Sequence, residues 1–159
     1  MPFSALGLDA NILKAVQEAG YTEPTPIQSA AVPLVLAGHD VIGIAQTGTG
    51  KTAAFTLPIL TRLAQQPAQR RGIRVLVIAP TRELVVQIEE NVRIYAKHLR
   101  LRIATVFGGV GENPQKAALE EGAEIVIATP GRLLDLMGRR FGDFSGLEFL
   151  VLDEADRML

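Results

Sequence analysis

The sequence predicts an α/β fold, a mostly parallel sheet with helices on both faces. Short runs rich in Val and Ile recur at 41–45, 75–79, 103–107, 125–128 and 149–152. They are mostly apolar without alternation, as expected of parallel strands covered on both sides. Helical patterns separate them, at 51–64, 82–98, 114–121 and 131–137. This alternation builds right-handed βαβ crossovers and a doubly wound sheet.

Two further helices precede the first strand. Asp9 can cap one of them, and Ile12, Leu13, Val16 and Ala19 then fall on a single face. Thr25 can cap the next, with Pro26 at its first helical position. The polar stretch 65–72 (QQPAQRRG) reads as a surface loop. Thr81 and Thr129 each stand between an apolar strand and a helix, where each can act as a cap; Pro130 then opens the second of these helices. There is no internal repeat and no linker, so a single α/β domain is expected over 1–159.

Composition fits a globular domain: 159 residues, 48% apolar, 21% charged. No apolar run reaches the ~20 residues needed to cross a bilayer, so no membrane partner is expected. The N-terminus has no basic segment followed by an apolar one, which argues against a secretory signal. Cysteine is absent, excluding disulfides and thiolate metal sites and fitting a cytoplasmic location. A net charge of −1 means that any nucleic-acid surface must be a local patch.

The segment 45–52 (AQTGTGKT) follows a predicted strand and opens a predicted helix, the context of a phosphate-binding loop. Gly48 and Gly50 let the backbone turn without a Cβ, so the N–H groups of Thr47 to Gly50 can face phosphate oxygens. The helix that follows adds its positive end. Lys51 would reach the β- and γ-phosphates and Thr52 would sit on Mg²⁺. Ala45 stands where the motif usually begins with Gly, a common variant. A glycine-rich turn without a ligand is the alternative for this segment taken alone.

At the other end, 149–152 (FLVL) runs into Asp153-Glu-Ala-Asp156. Parallel sheets bind ligands at the carboxyl ends of their strands. Asp153 there would hold Mg²⁺ through water, and Glu154 would orient or deprotonate an attacking water. A solvated strand end is the plain alternative, and the phosphate loop upstream tips the balance against it.

Read in order, these segments resemble the DEAD-box RNA helicases. Gly20-Tyr-Thr-Glu-Pro-Thr-Pro-Ile-Gln28 is similar to the Q motif and 45–52 to motif I. Pro80-Thr-Arg-Glu-Leu84 is similar to motif Ia, Gly108-Gly109 to the glycine doublet, Thr129-Pro-Gly-Arg132 to motif Ib and Asp153–Asp156 to motif II. The stretch 106–115 (VFGGVGENPQ) further resembles bacterial RhlE-type members. The resemblance covers essentially the whole chain.

It implies a RecA-like P-loop NTPase fold, incomplete at the C-terminus, and an RNA-dependent ATPase with Mg²⁺ and ATP or ADP as ligands. Gln28 would pair with the adenine edge and select adenine over guanine, a bidentate pattern also used in base readout. Tyr21 would stack on the base. Phe3 falls where the family has an isolated aromatic; for both rings a core position is the competing reading. Pro80, Thr81, Arg82, Gly108, Gly109, Thr129, Pro130, Gly131 and Arg132 would hold the RNA sugar–phosphate backbone without reading bases; well-capped helices with solvated arginines are the alternative. Arg70, Arg71, Arg74, Lys97, Arg100 and Arg102 read as solvated faces. His39 and His98 have no metal-ligand spacing.

The family's Ser-Ala-Thr motif and second RecA-like domain are not in these 159 residues. The arginine finger expected from that domain in cis is worth ~10³–10⁵ in rate. The segment alone is therefore expected to show negligible RNA-stimulated ATPase and no unwinding. A non-catalytic adenine-nucleotide-binding fragment is the alternative function. GTPases are disfavoured, since no Asn-Lys-x-Asp guanine reader is present.

Overall fold

The computed structural model describes residues 2–42, 50–67 and 72–158. The chain divides into two compact units, Met1–Pro67 with Asn91–Arg100, and Ala68–Glu90 with Leu101–Leu159.

The first unit is helical among its described residues. A 3-10 turn, Phe3–Ala5, buries Phe3 and leads to α1 (Ala10–Glu18), α2 (Pro26–Leu36) and α3 (Lys51–Gln65). The Asp9 carboxylate accepts from the Asn11 N–H at 2.9 Å, the expected cap, and α1 buries Ile12, Ala15 and Val16 at helical spacing. Thr25 and Gln28 form a reciprocal capping box at the start of α2, with Pro26 in its first turn. Helices α2 and α3 pack together, and Arg62 Nη1 on α3 donates to the Leu36 carbonyl at 3.3 Å, closing the end of α2. Val41 and Ile42 are exposed and belong to no described strand; the rest of the strand expected at 41–45 lies outside the described residues.

The second unit holds a parallel sheet of β1 (Val75–Ile78), β2 (Ile103–Val106), β3 (Ile125–Ala128) and β4 (Phe149–Leu152), in the order β2-β3-β1-β4. Ile78 stands in register with Ala128 and Leu152, and Val106 with Ala128, so all described strands end at one edge. Its helices are α5 (Asn113–Glu120), α6 (Pro130–Gly138) and the start of α4 (Arg82–Tyr95). Helix α4 stops short of the expected 98, because the backbone turns at Ala96 and Leu99 donates to its carbonyl at 2.8 Å. Lys97 and His98 then reach Glu18, whose carboxyl their hydrogen bonds hold below its usual range, the Lys97 bond contributing most.

All of β3 is buried, whereas β2 and β4 alternate. The expected two-sided burial therefore holds for the centre of the sheet and fails at its described edges, where Leu150 and Leu152 are half exposed. Ile73, Leu76, Val106, Val126, Leu133 and Leu136 form the heart of the core. No helix among the described residues is long and apolar enough to cross a membrane.

Arg74 departs from the expected solvated face. It is 5% exposed at the start of β1, pairs with Glu148, and lies 3.8 Å from Glu124. Its carbonyl accepts from Glu148 and Phe149, and its N–H donates to Glu124, so one residue ties β1 to both neighbours. The Glu partners are partly hydrated, which weakens the pairing below that of a fully buried bridge. Arg74→Leu is expected to lower unfolding stability by ~1–3 kcal/mol in chemical denaturation; an unchanged midpoint would show the clasp to be idle.

Helix α6 ends in a Schellman turn, with Arg140 N donating to Met137 O at 2.9 Å and Phe141 N to Leu136 O at 3.0 Å. Arg140 takes the position normally given to glycine and has φ 65. Phe141 packs onto the core cluster, so the turn cannot relax freely. Arg140→Gly is expected to raise stability by ~0.5–1 kcal/mol, read as a higher Tm; a lower Tm would count against this account of the turn.

Candidate functional site

In the first unit, the expected adenine and phosphate groups meet at the start of α3. Gly50 is its N-cap, with φ 82 and ψ 21. A Cβ there would stand 2.3 Å from Gln28 Nε2, so a side chain would have to displace the Gln28 amide as well as take a left-handed φ. Gln28 is buried and donates from Nε2 to the Gly50 carbonyl at 3.1 Å, while its Oε1 accepts from the Thr25 N–H at 3.0 Å. Gln28 is thus wedged between its own helix cap and the N-cap of α3. Its amide still keeps a second hydrogen and a second lone pair for a base edge. Lys51 and Thr52 lie in the first turn of α3, partly exposed. Thr47, Gly48 and Thr49 lie outside the described residues.

Tyr21 is 51% exposed, and its ring tilts against Tyr95 with centroids 6.4 Å apart. Burial, with Tyr21 adding to it, pushes the Tyr95 hydroxyl well above its usual range, so it stays neutral. Phe3 is buried, as the core reading has it.

In the second unit, the remaining expected residues gather at the carboxyl edge of the sheet. The ladder continues past the strands: Ala79 N donates to Ala128 O, Thr129 N to Val106 O and Asp153 N to Ile78 O, each at 2.9 Å. Pro80, Thr81 and Arg82 therefore follow β1, Gly108 and Gly109 follow β2, Thr129 to Arg132 follow β3, and Asp153 and Glu154 follow β4. Asp153 is buried; Glu154 has φ 52, a left-handed conformation that costs a non-glycine residue energy. Arg157 Nη1 donates to the Glu154 carboxylate at 3.1 Å.

Thr81 caps α4 as expected, its hydroxyl accepting from Leu84 N at 3.2 Å. Thr129 does not cap α6 with its side chain, contrary to expectation. Only the backbone of Thr129 is engaged: its N–H donates to the Val106 carbonyl at 2.9 Å and its carbonyl accepts the first helix bond, from Leu133 N at 3.2 Å.

The glycine doublet lies in a loop held by arginines. The Arg82 guanidinium is 6.0 Å from the Phe107 ring centre, and Gly109 has φ 84 with Arg82 Nη1 3.5 Å from where a Cβ would stand. Arg132 donates to Gln115 Oε1 at 3.0 Å and to the Val110 carbonyl at 3.1 Å. Beyond this loop, Arg139 and Lys116 bind Glu112; the Arg139 bond, then the Lys116 bond, lowers that carboxyl to about 2. Sequence reading assigned no role to Gln115, because a lone Gln on a short helix carries no pattern until its partners are known.

The chain aligns with a family model described as DEAD/DEAH box helicase over residues 25–159. It is 48% identical to the ATP-dependent RNA helicase SrmB of Escherichia coli over 158 residues, 99% of this chain and 36% of that protein. It is 49% identical to the ATP-dependent RNA helicase DBP2 of Encephalitozoon cuniculi, again over 99% of this chain and 32% of the relative. The ADP-bound crystal structure of the RNA-helicase Prp28 from Chaetomium thermophilum superposes with a TM-score of 0.90 at 46% identity, covering 98% of this chain and 39% of that one. The chain thus spans roughly a third of the length of these relatives. With the family model matching across most of its length and relatives near half identical over nearly all of it, the chain belongs to the DEAD/DEAH box helicase family.

Proposed function

We propose that this chain is the first RecA-like domain of an ATP-dependent RNA helicase. It binds Mg–ATP and the RNA backbone and, in a protein of its relatives' full length, couples ATP hydrolysis to local duplex unwinding. A second RecA-like domain in cis supplies the other wall of the cleft, and the protein works in the cytoplasm.

The observation that carries this reading is the seat of Gln28 against Gly50, which fixes a Q-motif amide beside the phosphate-loop helix. Gln28 and Tyr21 take the adenine. Thr47, Gly48, Thr49 and Gly50 form the phosphate-binding segment, and Lys51 balances the phosphate charge. Thr52 and Asp153 are hard oxygen donors suited to Mg²⁺, which supplies charge neutralisation when bound. Among the described residues no cluster of three His, Cys, Asp or Glu side chains forms a cage, so water and phosphate would complete the shell. Glu154 orients and deprotonates the attacking water, and Asp156 links the nucleotide to domain closure.

RNA lies along the carboxyl edge of the sheet. The starts of α4 and α6 offer backbone N–H groups at Thr81 and Arg82 and at Gly131 and Arg132, while Pro80, Thr129 and Pro130 shape the strand–helix turns that the RNA backbone would follow. Gly108 and Gly109 let a sugar–phosphate chain approach closely.

Calorimetry with ADP, ATP and GTP in Mg²⁺ tests the nucleotide half of this reading. Adenine nucleotides should bind, GTP should not, and Gln28→Ala should erase the difference. Equal binding of GTP and ATP by the parent chain would overturn the role given to Gln28.

A further inference from the structure

We infer that Gln115 is a positioning residue for RNA: it presets the glycine-doublet loop and the Arg132 guanidinium as one rigid phosphate-facing element. This rests on the proposed RNA-backbone binding at that edge and extends it to a residue to which none of the quoted segments gives a role.

The geometry is specific. Gln115 sits in the first turn of α5 and is 7% exposed, although its amide is polar. Its Nε2 donates to the Phe107 carbonyl at 3.0 Å, and its Oε1 accepts from Arg132 Nη1 at 3.0 Å. Arg132 Nη2 closes the circuit on the Val110 carbonyl at 3.1 Å. The loop 107–110, which contains both glycines, is therefore fastened at each end, by Gln115 at Phe107 and by Arg132 at Val110. Between these anchors Gly108 and Gly109 are exposed, and a Cβ on Gly108 would meet nothing within 4 Å. Glycines in such a loop lose much backbone freedom on ordering. An anchor that orders them beforehand removes that cost from the binding step.

The same amide fixes the arginine. These bonds use only part of the guanidinium's donor set, and its plane is held by Gln115 and Val110 while the other N–H groups remain for an anion. A buried amide at this point also makes replacement consequential. Leu would leave the Phe107 carbonyl without its donor and the guanidinium without its brace. Glu would keep the acceptor for Arg132 and lose the donor to Phe107.

The test is RNA-stimulated ATP turnover by a full-length helicase carrying this segment, titrated with single-stranded RNA. Gln115→Leu should raise the KM for RNA about tenfold, equivalent to the loss of a well-made hydrogen bond, with kcat at saturating RNA changed less than about twofold. If the residue acts through Arg132, the double variant Gln115→Leu/Arg132→Ala should have the KM of Arg132→Ala alone. Gln115→Glu should fall between parent and Gln115→Leu, and it decides the matter should the Leu variant fail to fold. An RNA KM unchanged in a folded variant, or effects that multiply in the double variant, would overturn the inference while the RNA reading stands. A parent enzyme with no RNA stimulation at all would remove the reading itself, and this inference with it.

Discussion

Gly50→Ala is expected to weaken ADP and ATP binding by about a hundredfold or more. The new methyl would meet Gln28 Nε2 at 2.3 Å and Thr25 Oγ1 at 3.0 Å. Gln28 cannot swing aside cheaply, since its Oε1 is bonded to the Thr25 N–H and its Nε2 to the Gly50 carbonyl within a buried setting. A left-handed φ at alanine adds ~1–2 kcal/mol, and overpacking typically another 1–3, roughly. Relief must come from moving the phosphate-loop end away from the start of α3, where Lys51 and Thr52 stand. Calorimetry on parent and variant, with circular dichroism to establish folding, checks this. A folded Gly50→Ala that binds ADP within twofold of the parent would mean that the Gln28–Gly50 seat is incidental to the nucleotide.

Glu154→Gln should separate binding from chemistry. The substitution keeps size and hydrogen-bonding reach and removes the base, so hydrolysis at saturating ATP and RNA should fall by about 10²–10⁴ while nucleotide affinity is retained. Glu154 takes a left-handed conformation immediately after the buried Asp153, and Arg157 pins its carboxylate. Single-turnover hydrolysis by a full-length protein is the direct readout. Turnover by Glu154→Gln close to that of the parent would remove Glu154 from the chemistry.

The fold was legible where local chemistry and burial agree. Ile125–Ala128 and Phe149–Leu152 come out with the bounds expected of them, because each is an apolar run bracketed by polar residues. The caps at Asp9, Thr25 and Thr81 follow from residue type and position alone. Legibility failed where a partner far along the chain decides. Arg74 beside Arg70 and Arg71 looks like surface, yet Glu124 and Glu148 make its burial tolerable, and nothing local announces them. Thr129 has the right type and place for a cap, yet its side chain makes no cap bond, although Thr25 caps α2 ahead of a proline in the same position. The same holds within the site. Gln28 could be matched to adenine by its chemistry, whereas its bond to Gly50 joins residues 22 apart. Gln115 was silent for that reason too, since both its partners lie in other elements.

The most direct test of the whole account is the RNA dependence of ATP turnover in a full-length protein carrying this segment, beside Lys51→Ala. Single-stranded RNA should raise turnover at least about tenfold, as expected if the carboxyl-edge groups and the phosphate loop act together, and Lys51→Ala should reduce it to background. Turnover indifferent to RNA, or surviving in Lys51→Ala, would contradict the assignment of this chain as the ATP- and RNA-binding core of a helicase.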